Sequence, residues 1–285
     1  MRFEGILTAI VTPFGADGRI AEGAFARMVT HLLENGSDGV VVAGSTGEGP
    51  TLDDDEKVAL FEIAVAESRG APVIAGTGSN DTRHTVELTA RAAEAGVDAA
   101  LVVTPYYNRP NPQGIREHFR HAAEASDLPI VLYNIPSRTA VDMPNDLLRE
   151  LGEIPGVEAV KQARVEDCAP VEGLDLLAGN DDMLADVLEM GGTGGIMVAS
   201  HLVGGEMRRM IDEPERRQEI NDALQPLFDV LGVTTNPIPI KTALALTGHD
   251  VGGLRLPMVE ASEDERREIR SVLASQGLLD RVPAS

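Results

Sequence analysis

The sequence predicts an α/β fold, a closed (β/α)8 barrel of the TIM type with a C-terminal helical appendage. Two patterns predict it: eight apolar runs of strand length alternate with stretches of helical periodicity, and after about residue 205 only helical patterns remain. Eight parallel strands close such a barrel, and a chain of 285 residues has room for a barrel of ~250 residues with an addition.

The predicted strands share a short aliphatic run bounded by glycine or polar residues. They are Ile6–Thr12, Gly39–Ala43, Val73–Gly76, Ala99–Val103, Ile130–Tyr133, Val157–Lys161, Asp175–Ala178 and Gly195–Val198. The alternative, an open doubly wound sheet, is disfavoured because no G-x-G-x-x-G motif opens a helix after the first strand.

Amphipathic stretches of helix length lie between these strands, and several are followed by a glycine, where a helix is expected to end. They include Gly23–Glu34, Asp54–Ser68, Arg83–Glu94, Ile115–Ala125 and Met183–Met190. Three further helical patterns follow, roughly Pro214–Leu231, Pro239–Thr247 and Ser262–Ser275. We therefore predict a (β/α)8 barrel over residues 1–213 and a helical domain over residues 214–285.

The chain is strongly acidic, with 46 acids, 24 bases and a net charge of −22. This charge repels phosphate backbones and anionic membrane surfaces, so no nucleic acid is expected as a partner. No apolar run reaches the ~18 residues of a membrane helix, and the N-terminal run Ile6–Val11 lacks the features of a signal peptide. We expect a cytoplasmic protein adapted to high salt; the alternative is an ordinary solvated acidic surface.

Cysteine and histidine give no indication of a metal site. Cys168 is the only cysteine, and the six histidines are scattered without zinc-ligand spacing. His118 and His121 are predicted to form a surface pair on one helix. We expect neither a metal nor a cofactor.

The residues that follow the strands are the candidates for chemistry, because the carboxyl ends of barrel strands meet at one rim. Lys161 ends the sixth strand, in a chain whose only other lysines are Lys57 and Lys241. A buried lysine can remain partly as the free amine and attack a carbonyl to form a Schiff base, which arginine cannot do. The alternative, a lysine that reaches solvent or forms an ion pair, stays open at this point.

Other polar side chains are expected at the same rim. Tyr133 could carry protons, and Ser45 and Thr46 lie in a glycine-rich turn whose N–H groups could hold a carboxylate. No lysine follows these glycines, which disfavours a phosphate-binding loop. Arg138 could bind a carboxylate bidentately. Each residue also has an ordinary structural explanation, but together they suit a keto acid that condenses with another carbonyl compound.

Taken together, these motifs resemble the pyruvate-dependent class I aldolase family along essentially the whole chain. The matching segments are Gly44-Ser45-Thr46-Gly47-Glu48, Val103-Thr104-Pro105-Tyr106-Tyr107-Asn108, Leu132-Tyr133-Asn134-Ile135-Pro136-Ser137-Arg138-Thr139, the strand ending at Lys161, Gly179-Asn180-Asp181, Asn236-Pro237-Ile238-Pro239-Ile240-Lys241 and Leu254-Arg255-Leu256-Pro257. The resemblance implies a cofactor-independent lyase.

The resemblance also implies roles for individual residues. Lys161 would form the imine with pyruvate and Tyr133 would donate and accept protons. Ser45 and Tyr107 would complete the hydroxyl relay, with Tyr107 supplied by a neighbouring subunit of a homo-oligomer, expected to be a tetramer. The family usually has threonine at position 45; serine keeps the hydroxyl but loses a methyl that restricts its rotamers, so the relay is expected to survive.

Substrate binding is implied by the same resemblance. Thr46 and the backbone at Ile196 would hold the pyruvate carboxylate, and Arg138 the carboxylate of L-aspartate 4-semialdehyde. Arg138 and the double tyrosine favour the branch that makes 4-hydroxy-tetrahydrodipicolinate for diaminopimelate and lysine biosynthesis. The alternatives are a 2-keto-3-deoxy sugar acid aldolase or an N-acetylneuraminate lyase and, more remotely, a non-catalytic keto-acid-binding barrel.

Feedback inhibition by lysine is expected to be weak or absent. Lysine-inhibited members of the family carry an acidic side chain where this chain has His84, and histidines where it has Asp54 and Lys57. The carboxylate partner for the effector's ammonium is therefore missing.

Overall fold

The computed structural model describes residues 3–279, and its eight strands form a closed parallel barrel in chain order. Its strands are β1 (Gly5–Ala9), β2 (Gly39–Val42), β3 (Val73–Gly76), β4 (Ala99–Val103), β5 (Ile130–Asn134), β6 (Val157–Gln162), β7 (Asp175–Ala178) and β8 (Gly194–Met197). Pairing of β1 with β8, in which Ile6 lies opposite Gly195, closes the barrel. The predicted fold class is confirmed.

Helices connect the strands and continue after the last one. They are α1 (Glu22–Glu34), α2 (Asp54–Glu67), α3 (Thr82–Glu94), α4 (Pro112–Ala123), α5 (Pro136–Thr139), α6 (Asn145–Gly152), α7 (Leu184–Glu189), α8 (Ser200–Asp212), α9 (Arg217–Leu231), α10 (Ile238–Leu246) and α11 (Glu263–Ser275). Within the described chain, α9 packs on α8, and α11 packs on both α9 and α10. No described helix is both long enough and apolar enough to cross a bilayer.

Two separate clusters of buried residues form the core. The larger one fills the space between the outer faces of the strands and the helices, with Phe25, Phe61 and Phe119 fully buried. The smaller one contains alternate strand residues and includes Val131 and Ala159. Because side chains alternate between the two faces of a strand, these residues face the barrel interior, and Tyr133 and Lys161 continue the same inward rows two positions later.

The largest correction to the predicted strands is at the end of β1, and the other strand ends differ from the predictions by at most one residue. β1 was predicted to extend to Thr12 but ends at Ala9. Beyond it, the Val11 N–H donates to Nε2 of His201, and the Thr12 hydroxyl donates to the Gly47 carbonyl. The segment therefore bonds to loops around the barrel mouth instead of continuing the strand ladder.

The prediction of a histidine surface pair is wrong for His118. Its side chain is buried, and Nδ1 lies 2.9 Å from the Thr82 hydroxyl oxygen. The ring packs edge-on against Phe119, and burial lowers its pKa to about 4. His121 is exposed, as predicted.

The proposed boundary between residues 213 and 214 falls in the short connection between α8 and the 3-10 turn Pro214–Arg216. The division into two domains stays a prediction. Residues 280–285 of the second domain lie outside the described residues.

Candidate active site

Lys161 and Tyr133 are neighbours on adjacent strands at the carboxyl end of the barrel. They are register partners in β6 and β5, and Nζ of Lys161 lies 4.2 Å from the centroid of the Tyr133 ring. Each residue is only 6% exposed. Among residues 3–279, Lys161 has no hydrogen-bond or ion-pair partner. Its amine is therefore neither solvated at the surface nor held by a carboxylate, which excludes the ordinary alternative for this lysine.

A cavity of about 1210 Å³ opens at this end of the barrel. Five of the predicted site residues line it: Ser45, Thr46, Tyr133, Arg138 and Lys161. Side chains of the C-terminal helices and loops also reach it. The structure thus brings together the amine, the phenol, the two hydroxyls and the guanidinium that the sequence placed at one rim.

The glycine-rich turn after β2 is tight at Gly47 and Gly49. A Cβ at Gly49 would lie 2.1 Å from the Ala43 carbonyl oxygen, and one at Gly47 would lie 3.0 Å from the Ile10 carbonyl oxygen. In this turn Thr46 is buried and its hydroxyl oxygen accepts a hydrogen bond of 2.9 Å from Nδ2 of Asn236. Since an amide NH2 can only donate, the hydroxyl hydrogen of Thr46 remains available to a ligand.

Arg138 lies in the short helix α5 and is exposed. Its Nη2 donates a 3.1 Å hydrogen bond to the backbone carbonyl of Asn236, which is in the loop before α10. Asn236 therefore contacts both Thr46 and Arg138, through its side chain and its carbonyl respectively. Sequence reasoning placed Asn236 in a matching motif but gave it no role.

Two predicted residues do not line the cavity in a single chain. Tyr107 is 88% exposed, with a positive φ of 70° in the loop after β4. Ile196 is fully buried in the barrel interior, so its predicted role is confined to its backbone. The expected contribution of Tyr107 to a neighbouring subunit stays a prediction.

A carboxylate that lies in a matching motif but received no role from the sequence also lines the cavity. Asp181 follows β7, and its Oδ1 accepts hydrogen bonds of 2.8 Å from the Val198 N–H and 3.0 Å from the Ala199 N–H. Burial raises the pKa of Asp181 to about 6, although both hydrogen bonds and the nearby Lys161 act to lower it. This carboxyl group is thus a titratable neighbour of Lys161.

The residues matched to the family's lysine-effector site, His84, Asp54 and Lys57, also line this cavity. Nε2 of His84 is 2.9 Å from Oδ1 of Asp54, and Nζ of Lys57 is 3.8 Å from that oxygen. Burial lowers the pKa of Lys57, and the charge of Asp54 only partly opposes this shift. The carboxylate of Asp54 is therefore already shared by two basic groups. Weak lysine inhibition stays a prediction.

The described residues contain no group of three or more His, Cys, Asp or Glu side chains that could hold a metal ion. The fold and the site together are typical of a barrel aldolase of class I: a parallel (β/α)8 barrel with a buried, unpaired lysine beside a tyrosine at the carboxyl ends of its strands. This combination favours the class of lyases in which a lysine amine is the reactive group.

Comparison with known proteins identifies the family. The model of the Dihydrodipicolinate synthetase family matches residues 2–276, and the chain belongs to this family. A relative from Bacillus velezensis, named 4-hydroxy-tetrahydrodipicolinate synthase, is 42% identical over 96% of this chain and 99% of its own. A protein of the same name from Thermosynechococcus vestitus is 43% identical over 97% of this chain and 98% of its own.

Solved structures of the same family have the same fold as this chain. A dihydrodipicolinate synthase from Cyanidioschyzon merolae, described with lysine bound, has a TM-score of 0.93 and 38% identity, covering 97% of this chain and 99% of its own. The enzyme from Aquifex aeolicus has a TM-score of 0.91 and 37% identity, with the same coverage of 97% and 99%.

Proposed function

We propose that this protein catalyses the 4-hydroxy-tetrahydrodipicolinate synthase reaction, the condensation of pyruvate with L-aspartate 4-semialdehyde through a Schiff base on Lys161. The observation that carries the proposal is the buried amine of Lys161, which has no hydrogen-bond or ion-pair partner in the described chain and faces the cavity beside Tyr133. Near-full-length identity of 42% to a synthase supports the same substrates.

The reaction begins on Lys161. Its neutral amine attacks the keto carbon of pyruvate, forming a C–N bond, and the carbinolamine oxygen leaves as water after it is protonated. Tyr133, whose ring lies 4.2 Å from Nζ, is the proposed donor of that proton. Ser45 and the Tyr107 of a neighbouring subunit are proposed to return protons to Tyr133.

Carbon–carbon bond formation follows from the imine. Loss of a methyl proton gives an enamine, whose carbon attacks the aldehyde carbon of the semialdehyde. The amino group of the semialdehyde then attacks the imine carbon, which closes the ring and releases Lys161 as the free amine. Atoms balance, with one water lost in imine formation, and no oxidant or reductant is needed.

Two sites on the cavity wall are proposed to recognise the two carboxylates. Thr46 can donate its hydroxyl hydrogen to the pyruvate carboxylate because Asn236 already donates to its oxygen. The backbone at Ile196, on the strand that precedes the cavity-lining Val198, is proposed as the second partner of that carboxylate. Arg138 stands at the cavity mouth with one of its two terminal nitrogens bonded to a backbone carbonyl, and can clamp the second substrate's carboxylate.

Turnover assays separate this proposal from the other aldolases of the class. We expect pyruvate with aspartate semialdehyde to be condensed far faster than 2-keto-3-deoxy sugar acids or N-acetylneuraminate are cleaved. Arg138→Ala is expected to raise the KM for the semialdehyde by at least ~10-fold, because a charge-assisted hydrogen bond is worth about 1.5–3 kcal/mol. Arg27→Ala, at an exposed position of α1, is the matched control. Faster cleavage of sugar acids would contradict the proposal.

We further propose that the enzyme works in the cytoplasm as a homo-oligomer, a tetramer built from two dimers. The exposed Tyr107 supports a shared site, since its side chain does not line the cavity of its own chain.

A further inference from the structure

The carboxyl end of β8 is fixed by side chains from two other segments. Asp181 follows β7 and accepts the backbone N–H groups of both Val198 and Ala199 on a single oxygen, Oδ1. Its other oxygen has no hydrogen-bond partner in the described chain, although the residue lines the cavity. One carboxylate therefore holds two consecutive peptide groups that directly follow the strand.

The same backbone is held from its other side by His201. Nδ1 of His201 is 2.8 Å from the Val198 carbonyl oxygen, and Nε2 accepts the N–H of Val11 beyond β1. Since Nε2 is an acceptor, Nδ1 must carry the hydrogen and donate it to Val198. The Val198 residue thus has its N–H bonded to Asp181 and its carbonyl bonded to His201, which ties together the ends of β1, β7 and β8.

This segment borders the site of imine formation. Val198 lines the cavity with Lys161, and Ile196, whose backbone is the proposed partner of the pyruvate carboxylate, lies two residues earlier on β8. Positions of backbone donors control how tightly a carboxylate binds, because a displacement of a few tenths of an ångström weakens a hydrogen bond. A residue that fixes this backbone would therefore act on substrate binding through the position of the backbone groups.

We propose that Asp181 is a positioning residue for the keto-acid subsite: its carboxylate oxygen fixes the backbone after β8 so that the strand end can hold the substrate carboxylate. The inference rests on the proposed function, because it needs pyruvate to bind at Lys161. It differs from a role as counterion to a positive imine, in which the negative charge of Asp181 would matter and its hydrogen bonds would not.

Three substitutions separate these roles. Asp181→Asn keeps an oxygen that can accept both N–H groups but removes the charge. Asp181→Ala removes the acceptor and the charge together. Asp182→Ala is the matched control, because Asp182 is the adjacent residue, is exposed and also lines the cavity.

The measurement is the pyruvate concentration that gives half-maximal borohydride-trapped adduct, with the melting temperature recorded for each variant. We expect Asp181→Ala to raise that concentration at least ~10-fold and Asp181→Asn to stay within ~3-fold of the wild type. Asp182→Ala is expected to behave as the wild type. A residue that serves stability alone would lower the melting temperature without shifting the pyruvate dependence.

The outcomes are distinct. If the wild type forms no adduct, the proposed function fails and this inference fails with it. If the wild type forms the adduct and Asp181→Ala needs no more pyruvate, only the positioning role is overturned. If Asp181→Asn is as impaired as Asp181→Ala, the charge is what matters and the proposal is wrong. Should the alanine variant not fold, Asp181→Thr, with a weaker hydroxyl acceptor, is expected to give an intermediate shift, and no shift would overturn the proposal.

Discussion

Nζ of Lys241 lies 2.8 Å from Oε1 of Glu48, and their side chains are only 2% and 1% exposed. Lys241 belongs to α10 and Glu48 to the glycine-rich turn after β2. Nζ also donates to the carbonyls of Thr12 and Gly253, while Oε2 of Glu48 accepts the Arg255 N–H. A buried ion pair is tolerated when its other polar contacts are satisfied, as they are here. The pair therefore joins the turn that carries Ser45 and Thr46 to the C-terminal helices.

Replacing Lys241 is expected to destabilise the fold. Lys241→Met leaves Glu48 buried without a counterion, which should lower the free energy of unfolding by about 3–5 kcal/mol. Urea unfolding measures this. Adding Glu48→Gln should restore much of the loss, and Lys57→Met should cost less, because its partner Asp54 is 3.8 Å away and one-third exposed. If Lys241→Met and Lys57→Met lowered the free energy of unfolding equally, the buried pair of Lys241 with Glu48 would have no special effect on stability.

The buried histidines predict that the free energy of unfolding falls in acid. Burial lowers the pKa of His118 and of His201 to about 4. The unfolded chain binds protons near pH 6.5 and the folded chain only near pH 4, so stability is lost as pH falls through this window. At pH 5 each histidine should cost about 2 kcal/mol. Asp181, whose pKa burial raises to about 6, acts in the opposite direction below that pH and offsets part of the loss.

Urea unfolding at pH 8, 6 and 5 tests this expectation. Glutamine at position 118 should flatten the dependence on pH, whereas His121→Gln, at an exposed position, should leave it unchanged. A free energy of unfolding that stays constant from pH 8 to pH 5 in the wild type would show that these histidines are protonated in the folded state.

The exposed position of Tyr107 predicts that specific activity depends on protein concentration. If Tyr107 completes a neighbour's site, specific activity should fall on dilution below the dissociation constant of the dimer. Tyr107→Phe should lower kcat and leave the pyruvate dependence of adduct formation nearly unchanged, with Tyr106→Phe as the matched control. Light scattering during the assay reports the oligomeric state, and a fully active monomer would disprove the shared site.

Local sequence patterns were sufficient to predict much of this structure. The alternation of side chains along β5 and β6 places Tyr133 and Lys161 inward, and all eight strands were found because each is a short aliphatic run. The buried position of His118 could have been predicted as well, since Ile115, Phe119 and Ala122 share its helical face.

Contacts between distant segments could not be predicted in this way. Asn236 and Thr46 are separated by 190 positions, and the hydrogen bond between them depends on how the C-terminal helices pack on the barrel. The role of Asp181 has the same origin, because the donors that it accepts are backbone N–H groups, which leave no pattern in the sequence. The rarity of lysine was the one sequence signal for the buried position of Lys241. All three lysines of the chain are buried.

The charge of −22 predicts that salt stabilises the protein. The Debye length falls from ~30 Å at 0.01 M to ~3 Å at 1 M, so salt weakens repulsion among the excess acids. Surface pairs such as Arg120 with Glu117 and Glu124 are already counted in this net charge, so the excess acids remain uncompensated. The melting temperature should rise steeply between ~0.05 and ~3 M KCl while the KM for the semialdehyde increases. A melting temperature that does not change with KCl would show that the protein is not adapted to high salt.

Lys161 is the amine proposed to form the imine, and borohydride reduction in the presence of pyruvate identifies the amine that does so. The chain has only three lysines, so peptide mapping of the reduced adduct is unambiguous among them. We predict a stable gain in mass on Lys161 alone, and none in Lys161→Arg, which should fold but carries a guanidinium that stays protonated. An adduct on Lys57 or Lys241, or one that persists in Lys161→Arg, would show that Lys161 is not the amine that forms the imine.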